Sequence, residues 1–237
     1  MPKTTRGERT RSGIVQAAAA LMRGRGIRGT TIDDVLLASG SKKGQLYHHF
    51  SGKEELVRAV ISYQLEQVLV EQGPYLEELG TLAGFRQWFA ALVQTFDAPP
   101  GRIPACALGS LATELGGERN ATQAALDAAF YRWRAPIVDG LRQVLPAAAQ
   151  DAEALADFVL ASLQGGILLA RTRGEVGPLA AALDHAYAHV AQLAQTETKE
   201  SQLVTRPSLR CPDGRAGLPT PCWSYGSTRC VPASGTR

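Results

Sequence analysis

The feature of this 237-residue chain that most constrains its fold is a pair of short helical patterns separated by a glycine. The first pattern starts at Thr31, which forms a T-x-x-D capping box with Asp34. Apolar residues then follow at the i, i+3, i+4 spacing of an inward helix face: Ile32, Val35 and Leu36. Gly40 ends the pattern, because glycine adopts a positive φ without a Cβ penalty.

The second pattern runs from about Lys42 to Phe50. At roughly 100° per residue, Leu46 and Phe50 share the face that docks on the first helix, and Gly44 and His48 lie nearly opposite. Two helices joined in this way form a helix-turn-helix, whose second helix enters the DNA major groove. The segment is therefore predicted to bind DNA.

Folding alone does not explain three residues at the start of this second helix. A glycine inside a helix costs roughly 1 kcal/mol relative to alanine, so Gly44 is expected where the backbone approaches DNA closely. Lys42 and Lys43 occupy the first turn, where the helix dipole favours acidic side chains. Both lysines are therefore expected to contact phosphates.

The charge distribution supports the same interpretation. Residues 1–58 hold 11 Lys and Arg against 5 Asp and Glu, whereas residues 59–195 hold 8 against 14. The net charge of +3 for the whole chain conceals this asymmetry. A basic end joined to an acidic body is typical of a protein that presents one end to nucleic acid.

The rest of the chain repeats helical patterns and contains no convincing strand pattern. The chain is predicted to be all-α, with a three-helix helix-turn-helix head at 1–56 built onto a helical bundle at 57–195. A break or kink is expected at Pro136, and Gly73-Pro74 is expected to stop the helix that starts at Lys53. The predicted helices are Ile14–Met22, the helix-turn-helix pair, 53–72, Leu82–Phe96, Ala107–Leu115, 121–145, 152–172 and 178–195.

From about Thr196 the sequence becomes rich in proline, glycine and serine, and residues 196–237 are predicted to be a disordered tail. The tail's three cysteines, Cys211, Cys222 and Cys230, contain no C-x2-4-C pair, so no metal site is predicted there.

The sequence lacks the segments that would direct the protein into or across a membrane. No apolar run reaches the ~18 residues that span a bilayer, and the basic N-terminus is followed by no signal-type apolar segment. Four cysteines, three of them in the tail, supply no disulfide framework. A cytoplasmic protein without membrane contact is expected.

Several residues resemble a known family. The segments TTIDDV, ASG and KKGQLYHHFSGKEEL resemble the N-terminal signature of the TetR family of bacterial transcriptional repressors. The LYHHF core and the segment CALGSLATEL at 106–115 are similar to the LmrA/YxaF-like subgroup. The resemblance implies a homodimer formed through the last two helices, an inverted-repeat operator in double-stranded DNA, and release by an apolar small-molecule effector.

The predicted DNA-contacting residues lie in and beside the helix-turn-helix. Gln45 is the expected base reader, because its amide can pair with adenine through two hydrogen bonds. Basic residues near the N-terminus are expected to form a mobile arm: Lys3, Arg6, Arg9 and Arg11. The complete predicted DNA-binding set is Thr31, Lys42, Lys43, Gly44, Gln45, Tyr47, His48 and Lys53.

An aromatic set in the bundle is either simple core or the lining of an effector cavity. The predicted effector-binding residues are Phe85, Trp88, Phe89, Cys106, Phe130 and Trp133. Cys106 is interpreted as a small buried hydrophobe, with a thiol sensor as the alternative.

Other functional classes have weaker support. His185 and His189 have the i, i+4 spacing of a metal pair but no third ligand in register, so an exposed or interface face is favoured. An enzyme would need a nucleophile, a base and an orienting acid, which the sequence does not group together, and no cofactor is expected. The remaining alternative is an architectural DNA-binding protein that takes no ligand.

Overall fold

A computed structural model describes residues 6–97, 103–115 and 120–204 of the chain. Within these residues the chain forms nine α-helices and one short 3-10 turn, and no strand. The helices are α1 (Arg6–Arg25), α2 (Ile32–Ser39), α3 (Lys43–His49), α4 (Lys53–Leu76), α5 (Leu82–Phe96), α6 (Ala107–Leu115), α7 (Ala121–Val144), α8 (Ala152–Arg173) and α9 (Gly177–Val204), with the 3-10 turn at Ala149–Asp151. The predicted all-α class is confirmed.

Helices α1 to α3 form the head, and their apolar faces meet in a small core. Helix α1 packs against α2, α3 and α4. Val35 of α2, Leu46 of α3 and Phe50 at the end of α3 are all buried. The buried residues of α1 recur at helical spacing: Ile14, Val15, Ala18, Ala19 and Met22. The predicted inward faces of both helix-turn-helix helices are therefore the faces that pack.

The remaining helices form the bundle, which is connected to the head by α4. Helix α4 packs along α7, and α8 packs between α7 and α9. Gly166 allows α8 and α9 to come close, because a Cβ at that position would lie 2.9 Å from Leu179 Cδ1 and 3.0 Å from Leu179 Cα. Trp88 of α5 and Trp133 of α7 are the largest fully buried side chains.

The predicted mobile arm is wrong for Arg6, Arg9 and Arg11, because these residues lie inside α1. The acid Glu8 lies in the first turn of α1, where it complements the helix dipole. The guanidinium of Arg11 lies 5.2 Å from the ring centroid of Phe50, a cation–π contact that joins α1 to the end of α3. Lys3 lies outside the described residues.

Helices α4 and α7 are not interrupted at the prolines where the sequence predicts a stop (Pro74) and a kink or break (Pro136). Helix α4 continues through Gly73 and Pro74 to Leu76, whose side chain is buried. Pro74 cannot donate to the Val70 carbonyl, but it lies in the last turn, so only the end of the helix loses a hydrogen bond. Helix α7 is continuous through Pro136, since the buried residues Trp133 and Ile137 hold both sides of the proline in the core.

The last helix extends to Val204, beyond the predicted end at 195, so the predicted start of the tail at 196 is wrong. The Glu197 carboxylate explains the extension. It accepts hydrogen bonds from the backbone N–H groups of Ala147 at 3.3 Å and Ala148 at 2.8 Å, which follow α7. The rest of the predicted tail, with its three cysteines, lies outside the described residues.

Residues Ala149–Arg173 form one segment long and apolar enough to cross a membrane by length and composition alone. Core helices of soluble proteins satisfy the same criterion. In the bundle, this segment buries Ala156, Val159, Leu163 and Ile167 among its neighbours, which agrees with the predicted buried helix.

Candidate DNA-binding surface and ligand cavity

The start of α2 is held by the predicted capping box. The Asp34 N–H donates to Thr31 Oγ1 at 3.1 Å, and the Thr31 N–H donates to Asp34 Oδ2 at 2.9 Å. The Thr31 hydroxyl and N–H bonds hold the pKa of Asp34 below its ordinary value of 3.8. This capping contribution is therefore present at neutral pH and is lost only when the pH falls through the lowered pKa. Gly40 closes α2 with φ of 64°.

The outer face of α3 carries the predicted DNA-contacting side chains and leaves them free of the core. Leu46 is buried beneath this face. A Cβ added to Gly44 would meet no heavy atom within 4 Å, so packing within the chain does not require glycine there. The exposed residues of this surface are Lys42, Lys43, Gly44, Gln45, Tyr47 and His48.

Two of these residues make contacts that the sequence did not suggest. Gln45 Oε1 accepts a hydrogen bond from the Lys42 N–H at 2.8 Å and so caps the start of α3. This bond uses Gln45 Oε1, and the Gln45 Nε2 group is the end of the amide that can donate. The Lys43 ammonium lies 6.0 Å from the ring centroid of Tyr47. The Gln45 side chain is therefore already held in one orientation before it contacts any base.

The flanks of α3 extend the basic surface. Thr31 is exposed at one side, and Lys53 is half-buried at the start of α4. Ser51 donates from N–H and Oγ to Glu55 Oε2, both at 2.7 Å, and these bonds lower the pKa of Glu55. A 450 Å³ groove between α1 and the α2–α3 turn is lined by Arg6 and Arg9 as well as Gln45. Because α1 is longer than predicted, its arginines occupy defined places beside the helix-turn-helix.

A second site, the central cavity, lies in the bundle and has a volume of about 430 Å³. Three of the six predicted effector-binding residues line it: Trp88, Cys106 and Trp133. The other three do not. Phe85 and Phe89 are buried in the core and contact Trp88, with ring centroids 6.4 and 5.1 Å from the indole. Phe130 lines a separate open groove between α7 and α8.

One wall of the central cavity is polar, and the sequence prediction missed it. Helix α4 contributes Gln64, Gln67, Glu71 and Gln72 to the lining. Gln64, Gln67 and Glu71 recur at three- and four-residue spacing, with Gln72 next to Glu71, and that spacing on one helix face is the signal that could have found them. Gln72 Oε1 accepts a hydrogen bond from each of the two cavity indoles, both at 3.1 Å.

Cys106 lies at the junction of the cavity and α6. Its Sγ accepts from the Gly109 N–H at 3.5 Å and from Gln164 Nε2 at 3.4 Å. The thiol is buried, which agrees with the interpretation of Cys106 as a small buried side chain.

Helix α6 connects the central cavity to the head. Its first residue, Ala107, lines the cavity. Near its other end, Glu114 Oε2 accepts a hydrogen bond from the Ile27 N–H at 2.6 Å, in the turn between α1 and α2. Gly26 has φ of 75° in the same turn. A displacement of α6 at the cavity would therefore act directly on the backbone of the head.

The histidine pair on α9 does not form part of a metal cluster. His185 and His189 are exposed, and the His189 ring lies 5.6 Å from the Phe158 ring in an edge-on contact. No group of three His, Cys, Asp or Glu side chains suited to a metal occurs in the described ranges.

Family profiles match both the head and the bundle of this chain. Residues 14–60 match the profile for "Bacterial regulatory proteins, tetR family", and residues 81–185 match "Transcriptional regulator LmrA/YxaF-like, C-terminal domain". LmrA of Bacillus subtilis is 28% identical over 172 residues, which cover 72% of this chain and 90% of LmrA. The transcriptional repressor DhaR of Mycobacterium sp. is 25% identical over 181 residues, covering 71% and 86%.

The fold agrees with these matches. A TetR transcriptional regulator from Chloroflexus aurantiacus superposes with a TM-score of 0.63 at 27% identity, covering 78% of this chain and 96% of that one. The chain therefore belongs to the TetR family of bacterial transcriptional regulators, with an LmrA/YxaF-like C-terminal domain. It is a DNA-binding regulator and not an enzyme, as predicted.

Proposed function

We propose that this protein is a cytoplasmic repressor that binds an inverted-repeat operator as a homodimer and leaves it when a small molecule enters the central cavity. The observation that carries the proposal is the basic outer face of α3, held above the buried Leu46 and Phe50. Relatives named as transcriptional repressors, including DhaR, support the direction of regulation. The central cavity favours a ligand-responsive protein over an architectural one.

In the proposed complex, α3 lies in the major groove. Lys42, Lys43 and Lys53 contact phosphates, and so does Thr31 at the N-terminus of α2. Gln45 reads a base edge, while Tyr47 and His48 contact bases or phosphates. Arg6 and Arg9 of α1 add positive charge beside Gln45. The same surface therefore combines sequence reading with sequence-independent attraction.

The two kinds of contact respond differently to substitution. Gln45→Ala should reduce the preference at one base pair of each half-site by about 1–3 kcal/mol. Lys43→Ala should weaken binding to all sequences alike and should make affinity less dependent on salt. Fluorescence-anisotropy titrations against operators altered at single positions, at several salt concentrations, measure both effects. A uniform loss of affinity in both variants would rule out Gln45 as the base reader.

Gly44→Ala tests whether the glycine is required for folding or for DNA binding. Because space around Gly44 is open, alanine should stabilise α3 by up to about 1 kcal/mol through helix propensity. If DNA backbone or bases approach this position, the added methyl should lower operator affinity. Denaturant unfolding and operator titration measure the two effects. Gly24→Ala is the matched control, since the space around Gly24 is also open; equal operator affinities for both variants would contradict the close approach.

The proposed dimer interface is the α8–α9 face, defined by exposed apolar and small residues of the last two helices. Phe158, Leu168 and Leu169 of α8 are 43%, 61% and 48% exposed. Ala181 and Ala188 of α9 are also exposed, and small side chains allow two helix pairs to approach closely. A two-fold axis through this face would present two α3 helices to half-sites about one DNA turn apart.

A mobility-shift assay on the DNA upstream of the protein's own gene tests the proposed function. The expected complex contains two chains and protects an inverted repeat in a footprint. Protection without any repeated half-site, or binding without sequence preference, would favour the architectural alternative.

A further inference from the structure

Helix α3, which carries the predicted DNA-contacting side chains, is too short to fix its own direction. It has seven residues, and a helix of that length is not stable in isolation. Its start is capped locally, by the hydrogen bond from the Lys42 N–H to Gln45. Its end, at Phe50, has an extended backbone with φ of −140° and ψ of 126°. Contacts with neighbouring helices must therefore hold α3 in place.

The α3–α4 corner, residues 50–52, follows the end of α3 and is held from two sides. On the α4 side, Glu55 Oε2 accepts hydrogen bonds from the Ser51 N–H and Oγ, both at 2.7 Å. On the α1 side, the Arg11 guanidinium lies 5.2 Å from the centroid of the Phe50 ring. The Phe50 side chain is only 1% exposed, so core packing fixes the ring that the cation contacts.

Arg11 also supports the second of these contacts through its charge. The two hydrogen bonds from Ser51 lower the pKa of Glu55, and the positive charges of Arg58 and Arg11 lower it further. The carboxylate is therefore ionised at neutral pH, and its hydrogen bonds to Ser51 are charge-assisted. One arginine of α1 thus acts on both contacts that hold the corner.

Helical geometry separates Arg11 from the other arginines near the start of α1. Arg6 and Arg9 line the groove beside Gln45, close to the start of α3. Arg11 comes two residues after Arg9, and so lies roughly 200° further around the helix. It contacts Phe50, at the opposite end of α3. Arg6 and Arg9 therefore border the proposed DNA-binding surface, whereas Arg11 stacks on the head itself.

We propose that Arg11 is a positioning residue for DNA recognition. By stacking on Phe50 it holds α3 in the orientation in which Gln45 meets a base edge, and it does not itself contact a phosphate. This inference rests on the proposed function and deepens it. Base reading requires a defined hydrogen-bond geometry, whereas attraction to phosphates is independent of sequence. Loss of Arg11 therefore lowers affinity for the operator and spares affinity for unrelated DNA.

Arg11→Met and Arg9→Met form a matched pair, because both residues are exposed on α1 and each variant loses one positive charge. Fluorescence anisotropy on the footprinted operator and on an unrelated duplex, at several salt concentrations, compares them. Arg11→Met should bind the operator at least about fivefold more weakly, the effect of one cation–π contact. Its affinity for unrelated DNA and its salt dependence should match the wild type.

Arg9→Met should instead weaken binding to both duplexes by the same factor and should flatten the salt dependence. The same behaviour in Arg11→Met would assign Arg11 to a phosphate and overturn the inference. An unchanged operator affinity in Arg11→Met overturns it as well.

Phe50→Leu tests the contact from its other side without a change of charge. Leucine keeps an apolar side chain at this buried position but removes the ring. In a double-mutant cycle, the variant that combines Arg11→Met with Phe50→Leu should lose no more preference for the operator than Phe50→Leu alone. A further loss in the combined variant means that Arg11 acts through another contact, which contradicts the assignment.

Amide hydrogen exchange in the free, full-length protein tests the corner without DNA. The Phe50 N–H donates to the Leu46 carbonyl at 2.9 Å. This amide and that of Ser51 should exchange about fivefold faster in Arg11→Met than in the wild type, and at the wild-type rate in Arg9→Met. Equal rates in all three proteins overturn the inference, even if Phe50→Leu does not fold. A wild-type protein with no preference for a repeated site refutes the proposed function instead, and the exchange rates still decide whether Arg11 holds the corner.

Discussion

Leu168→Glu should convert the proposed dimer to monomers and lower operator affinity by about a hundredfold or more. Leu168 is 61% exposed in the single chain and lies near the C-terminal end of α8. In the proposed dimer the new carboxylate would be buried without a partner, which costs several kcal/mol. A monomer also loses the second half-site, whose binding in a dimer is helped by high effective concentration.

Sedimentation velocity measures the oligomeric state, and titration of the operator measures the affinity. Val70→Glu is the matched control, because Val70 of α4 is also apolar and is 72% exposed outside the α8–α9 face. It should leave dimer and affinity intact. A Leu168→Glu protein that remains dimeric would place the interface elsewhere, and a monomer with full operator affinity would show that repression needs no dimer.

Glu114→Ala should uncouple the central cavity from the DNA. The wild-type carboxylate holds the Ile27 N–H at 2.6 Å, and hydrogen bonds to charged groups contribute about 1.5–3 kcal/mol. In typical allosteric proteins a ligand changes affinity at a second site by roughly 5–150-fold. We expect most of that factor to disappear in the variant, while the ligand still binds the free protein with its original affinity.

Operator titrations with and without a saturating cavity ligand give the coupling factor. Reciprocity requires operator DNA to weaken ligand binding by the same factor, so the second titration checks the first. Thr113→Ala is the control on the same helix, since Thr113 is exposed and its hydroxyl, within the described ranges, donates to the Ser110 carbonyl. Retention of the full coupling factor by Glu114→Ala would show that transmission does not depend on this hydrogen bond.

Local signals were sufficient for much of the fold. The Thr31–Asp34 capping box and Gly40 specify the two ends of α2 through contacts within a few residues. The predicted bounds Leu82–Phe96 and Ala107–Leu115 agree with α5 and α6 for the same reason. Where helix length depends on distant partners, the prediction was wrong. Helix α9 continues to Val204 because Glu197 binds backbone groups about fifty residues away.

The two sites differ in how far the sequence could predict them. Helical periodicity alone predicts which face of α3 packs against the head. The opposite, outer face is therefore predicted as well. Which residues line the cavity depends on which side of α5 faces open space and which side packs against neighbouring helices. Trp88 and Phe89 are adjacent and both buried, yet only Trp88 lines the cavity. The polar wall of α4 becomes recognisable only when Gln72 is seen between two indoles from α5 and α7.

The shared acceptor of the two buried indoles also gives the protein an optical reporter of its own. The chain has three tryptophans, and the third, Trp223, lies outside the described residues. In a Trp223→Phe background, all indole emission would come from Trp88 and Trp133. Any molecule that disturbs Gln72 changes the surroundings of both at once. Occupancy of the cavity could then be followed in real time by stopped-flow, without a label, while DNA is bound or released.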